Sequence, residues 1–108
     1  ETTAGQGSCL GHRLEHLQYC LEENQHHPRL GVCLDSCHAT AAGYHLDSVV
    51  AVQQYLQEFD QRVGLSRLKL LHLNDSKREC GSRVDRHQHI GEGFVGKQGF
   101  WASKTAVR

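Results

Sequence analysis

An α/β fold built on parallel strands follows from three observations. Short apolar runs at residues 30–34 and 67–73 alternate with stretches of helical periodicity. Asp35 closes the first run, and His72 stands where the second gives way to a loop. Glu1, Asp35 and His72 are 34 and 37 positions apart, about one βα unit each time. Alternating strands and helices give a parallel sheet, because parallel strands need a crossover between them. Three such units cannot close a (β/α) barrel. The chain therefore reads as a piece of one, a single partial domain over residues 1–108, with its chemistry at the strand carboxyl ends.

Taken in order, residues 1–8 (ETTAGQGS) lack hydrophobic periodicity and form a loop. Leu10, Leu14, Leu17 and Leu21 then recur at helical spacing, which predicts a helix from about Gly11 to Glu23. The polar ENQHHP stretch ends it, since Pro28 cannot continue the ladder. LGVCL is short enough, and flanked suitably, for a buried strand with Cys33 in its core. SCHATAAGYHL follows as a small-residue loop. With Asp47 as N-cap, Val49, Val52, Leu56, Phe59 and Val63 make a helical stripe that stops at Gly64. Arg67 to Leu73 is the next strand. A long loop from His72 to Gly93 precedes a last helix from about Gly96, in which Phe100 and Trp101 face the core.

Composition excludes several classes. Twelve basic and 12 acidic residues cancel, so no global field attracts nucleic acid or membrane. No apolar run reaches the roughly 18 residues of a membrane span. The five cysteines are an odd number without a CxxC pair. That argues against a secreted disulfide framework and for an intracellular, reducing compartment such as cytoplasm or nucleus. The chain starts at Glu1 rather than Met, so an N-terminal portion is expected to be missing.

The segment HLNDSKRECGSRVDRHQHIGEG concentrates His72, Asp75, Asp85 and His87 with Lys77, Arg78, Arg83 and Arg86. Asp85 and His87 are two apart, which in extended backbone turns both to one side. GVCLDSCH adds Asp35 and His38. With Glu1, three carboxylates and three imidazoles are expected on one face. Such oxygen and nitrogen ligands suit zinc and also manganese, and carboxylates can bridge two ions. Multinuclear sites of this kind serve phosphoryl transfer.

ETTAGQGS, GVCLDSCHATAAGY and HLNDSKRECGSRVDRHQHIGEG together resemble three successive signatures of the endonuclease IV family, the zinc-dependent apurinic/apyrimidinic endonucleases. The resemblance runs from Glu1 to about Phe100. It implies a TIM barrel with three zinc ions, and a hydrolase that cuts double-stranded DNA 5′ to abasic sites and trims blocked 3′ ends, with no organic cofactor. By that resemblance Glu1 matches the carboxylate bridging two zincs, and is carried over as catalytic. Asp35 and His72 match ligands of one of that pair, while His38, Asp85 and His87 match the full protein set of the third. Lys77, Arg83 and Arg86 lie in the matching loop and are assigned to DNA phosphates. Two histidine ligands and a later glutamate of the family have no counterpart here. An internal fragment, inactive alone and prone to associate, is therefore expected.

Two other readings stay open at this point. A metal-dependent sugar isomerase or epimerase also gathers Glu, Asp and His at barrel strand ends. A non-enzymatic zinc module would instead hold its ion through Cys33 and Cys37. His45 and His89 read as surface residues or partners behind the ligands, and His12, His16, His26 and His27 are given no role.

Overall fold

The computed structural model describes residues 1–106. Its elements are α1 (Leu14–Glu23), β1 (Val32–Asp35), α2 (Ser36–Ala42), α3 (Val49–Arg62), a 3-10 turn (Leu65–Arg67), β2 (Leu68–His72), β3 (Asp75–Ser76), β4 (His87–Gln88) and α4 (Gly96–Ala106). β1 and β2 pair in parallel, with Asp35 opposite His72. Thr2 lies along the edge that β2 leaves free, its N–H donating to the Cys33 carbonyl at 3.0 Å. Glu1, β1 and β2 thus each open a unit that a helix completes, and the expected α/β architecture of about three units holds.

Strand alternation divides the small sheet into two faces. Val32 and Leu34 are buried against a core that includes Leu14, Leu17 and Leu21 of α1, Val52, Tyr55 and Phe59 of α3, and Phe100 of α4. Cys33 and Asp35 face the other way, opposite Leu70 and His72 in register. Cys33 is therefore half-buried on the inner face and not a core residue.

Several local expectations need correction. α1 starts at Leu14 rather than Gly11, and its first N–H is satisfied from a distance by the Tyr44 hydroxyl at 2.9 Å. Leu10 therefore lies outside the helix and is exposed. SCHATAA is helical, not a loop. Asp35 caps it by accepting from the His38 N–H at 3.0 Å, and Gly43 ends it at φ 112°. Its small residues let it lie close to β1 and β3, so that composition reflects packing and not irregularity. Ser48, not Asp47, caps α3, accepting from Ala51 N–H at 3.1 Å. Phe100 is buried as expected, whereas Trp101 is 64% exposed.

The long loop carries its own order. β3 and β4 form a short antiparallel pair. Asp75, wholly buried, accepts from the backbone N–H groups of Ser76, Gly91, Gly93, Val95 and Gly96 at 2.8–3.2 Å. One carboxylate thereby satisfies the donors of the turn that leads into α4. Gly93 is obligatory there, because any side chain would run into the Ser76 carbonyl and the Asp75 carboxylate.

Candidate metal centre

The carboxyl ends of β1 and β2 bring Asp35 and His72 side by side. Asp35 is buried at 1% exposure. Its Oδ1 caps α2, and its Oδ2 accepts from Asn74 Nδ2 at 2.9 Å. Asn74 is itself fixed through Ser36, whose Oγ accepts from its N–H at 3.0 Å. Glu1 arrives from the free edge of β1 and places Oε1 at 2.9 Å from His72 Nδ1.

His38 follows Asp35 by one turn of α2. Its Nδ1 lies 2.9 Å from the Thr2 carbonyl, which can only accept, so Nδ1 carries the proton. Nε2 is the ring nitrogen left free of backbone contacts, 3.1 Å from Asp85 Oδ1. His87 Nε2 stands 3.5 Å from the same oxygen and 3.9 Å from Asp35 Oδ2. Asp85 and His87 do point to one side, as their spacing predicts.

All six residues singled out as ligands are brought together. His38, Asp85 and His87 form one group whose ligand atoms lie within 4.8 Å of one another, and Glu1, Asp35 and His38 form another. Ligand atoms around one cation with bonds of about 2.0–2.2 Å stand roughly 3–3.5 Å apart, so modest closure suffices. Donor chemistry fits as well: carboxylate oxygens and imidazole nitrogens, the usual ligand atoms of such a cation, gather on one face. Glu1, within 3.9 Å of both His38 and His72, stands between the two halves of the cluster.

The basic residues behave differently. Arg83 donates from Nε to the Gly5 carbonyl at 2.8 Å and from Nη2 to Gly7 at 3.5 Å. It therefore ties the first loop to the last. Gln6 adds a second tie, its Oε1 accepting from Asp85 N–H at 3.0 Å. Arg86 Nη1 donates to the Asp85 carbonyl at 2.7 Å, and Lys77 extends from the β3–β4 hairpin, its N–H donating to the Arg86 carbonyl. Thr2, Gln6, Ser36, Asn74 and Asp75 are the residues that sequence reasoning missed or left without a role. Asn74, beside His72 in a dense polar run, carried a local signal, and Asp75 stood out there as a carboxylate candidate without its actual role.

The two cysteines of GVCLDSCH part company. Cys33 groups with Glu1 and His72, and Cys37 with Asp35 and His87. Burial, then the Glu1 carboxylate, pushes the Cys33 thiol up; burial pushes Cys37 up to about 11. No candidate group among the described residues contains both, so a Cys33–Cys37 knuckle gains no support. His45 is exposed and nearest to Cys80, with 3.9 Å between Nε2 and Sγ.

Comparison with known proteins agrees with this geometry. The sequence profile of the family described as "xylose isomerase-like TIM barrel" matches residues 1–102. The chain is 52% identical over 100 residues to a probable endonuclease 4 of Chloroflexus aurantiacus, covering 93% of this chain and 35% of that protein. It is 49% identical over 102 residues to a probable endonuclease 4 of Haloquadratum walsbyi, covering 94% and 36%. The crystal structure of endonuclease IV from Thermus thermophilus superposes with a TM-score of 0.79 at 41% identity, over 91% of this chain and 34% of that one. The parallel strands and these relatives agree: the chain belongs to the endonuclease IV family of xylose isomerase-like TIM barrels, spanning about a third of the length of the relatives it matches.

Proposed function

We propose that this chain supplies part of the zinc centre of a DNA-repair phosphodiesterase that hydrolyses the backbone 5′ to abasic sites and trims 3′ ends. The observation that carries the reading is the convergence of His38 Nε2 and His87 Nε2 on one oxygen of Asp85, beside Asp35 and Glu1. In this reading residues 1–108 are one partial domain, and the activity would belong to a longer protein such as the relatives, of which this chain spans about a third.

His38, Asp85 and His87 would hold one ion, and Glu1, Asp35 and His72 would serve a bridged pair. When bound, zinc supplies an acidified water and neutralises phosphate oxygens. The chain's own residues prepare that chemistry. Thr2 fixes the His38 tautomer, and Asn74 and the His38 N–H orient Asp35, so the ligands need little rearrangement. Glu1 spans the two halves and is the residue assigned to catalysis. Lys77, Arg86 and the donors of Arg83 not used on Gly5 and Gly7 would face phosphates, neutralising backbone charge without reading bases. Manganese fits the same oxygen and nitrogen donors. Five free cysteines are consistent with a reducing compartment, and among the described residues no helix is long and apolar enough to cross a membrane.

The test is the zinc content of the purified chain with and without His87→Ala. About one tightly held ion, lost in the variant, supports the reading. A folded chain that retains no zinc would sink it.

A further inference from the structure

Asp85 differs from its two neighbours in how it is held. His38 is carried by α2 and His87 by β4, whereas Asp85 is exposed on the irregular backbone of residues 82–86. No ladder fixes it. Instead its N–H donates to Gln6 Oε1 at 3.0 Å, across 79 positions of chain. Gln6 is in turn pinned on both sides by one guanidinium. Arg83 Nε donates to the Gly5 carbonyl at 2.8 Å, and Nη2 to the Gly7 carbonyl at 3.5 Å. Arg83 is anchored through its own N–H to the Ala41 carbonyl near the end of α2, at 2.8 Å. It adopts a left-handed backbone, φ 57°, which is uncommon for a side chain of this size. Gly5 has φ 75° and leaves no room for a side chain. A Cβ there would stand 2.7 Å from the His12 ring and 3.1 Å from Arg83 Nε. The guanidinium can reach the loop only because that backbone is bare.

We infer that Gln6 and Arg83 are positioning residues that set cation affinity through Asp85, Gln6 holding its backbone and Arg83 holding the loop that carries Gln6. The inference rests on the metal reading above and deepens it. A carboxylate on irregular backbone must be ordered before it can ligate, and a ligand ordered in advance binds more tightly. Partners one bond removed from a metal ligand commonly change affinity about tenfold or more. Two of the guanidinium donors of Arg83 are spent on neutral carbonyls inside the protein. Its main contribution here is geometry and not charge. Lysine would keep the charge but, as a single point donor, could not bridge both carbonyls as that planar fork does.

Two readouts test this, one without metal and one with cobalt, whose visible absorption reports its ligands. In the metal-free chain, Gln6→Leu should speed hydrogen exchange at the Asp85 N–H, and Gln6→Glu, which keeps an acceptor, should restore protection. Cobalt affinity should fall about tenfold in Gln6→Leu and in Arg83→Lys. A double-mutant cycle then separates positioning from general support of the fold. In an Asp85→Ala chain, which holds cobalt more weakly, adding Gln6→Leu should cost nothing further. An equal loss in that background overturns the proposal, because Gln6 would then not act through Asp85. Unchanged exchange at Asp85 in Gln6→Leu overturns it too, as does faster exchange with unaltered cobalt affinity. Unaltered affinity in Arg83→Lys removes Arg83 from the assignment. All of these leave the metal reading intact, whereas a folded, unmutated chain that retains no cobalt overturns both. Far-ultraviolet circular dichroism verifies that each variant is folded, and the exposed setting of Gln6 and Arg83 makes both substitutions easy to accommodate.

Discussion

The two faces of the β1–β2 sheet are made by alternate residues of the same few positions, yet they differ in almost every physical respect. The outer face, Val32 and Leu34, is sealed by α1, α3 and α4 around Phe59, which is completely buried. The inner face carries Cys33, Asp35 and His72, and its Leu70 is 54% exposed. Parallel sheets are normally covered on both sides. One face therefore holds this fold together, and the other carries the candidate ligands. A period of two in the strand is enough to separate a packed face from one lined with candidate ligands.

The contrast can be broken most directly from the outer side. Phe59→Ala should cost about 3–5 kcal/mol, the usual range for emptying a well-packed aromatic site, and should leave little cooperative unfolding by urea. If the midpoint scarcely moves, the outer face is not the source of stability. Asp75→Ala comes next. It leaves several loop N–H groups without an acceptor, and roughly 1–3 kcal/mol for each that stays buried predicts a collapse of the turn over residues 89–96. Limited proteolysis should then cut that turn while α3 stays protected.

A smaller effect is expected at alkaline pH. The buried Cys37 thiol keeps its proton up to about 11 in the fold, against 9.0 in an open chain. Its contribution is therefore complete below about pH 9 and drains away as pH rises through the folded value, since the unfolded state loses the proton first. Burial pushes Cys33, Cys80 and Tyr44 the same way. Urea midpoints measured across that window should fall, and Cys37→Ala should flatten part of the decline. The smallest effect belongs to the inner face. Leu70→Ser should change stability by no more than about 0.5 kcal/mol. Sedimentation should show it reducing self-association of the isolated chain, because it removes exposed apolar surface. A large loss of stability instead would mean that the inner face is already covered.

The features legible in the sequence were those with a local pattern. The stripe through Val52, Phe59 and Val63 gave α3, and short apolar runs ending at Asp35 and His72 gave the strands. The spacing of Asp85 and His87 gave a shared direction. What escaped has no such pattern. The helix at Ser36–Ala42 is made of residues common in loops, and its cap, Asp35, was already spoken for as a ligand. Asp75 looked like one more ligand candidate; only the fold shows that its oxygens are used up on backbone. Thr2, Gln6 and Arg83 act through bonds to residues 33 to 79 positions away, which no window along the chain can display.

Those same stitches set an order of events during folding. Glu1 meets His72 across 71 positions, His38 meets Asp85 across 47, and Gln6 meets Asp85 across 79. α1 and α3, by contrast, close within a few residues of themselves. Loop closure grows costlier with the length of chain enclosed, and distant contacts slow folding. The helices can therefore form early, while the contacts that join distant segments, the candidate ligand cluster among them, close later. The cluster is also where transient reopening of the native chain should begin, which makes the centre the place where hydrogen exchange first reports the molecule's loosening.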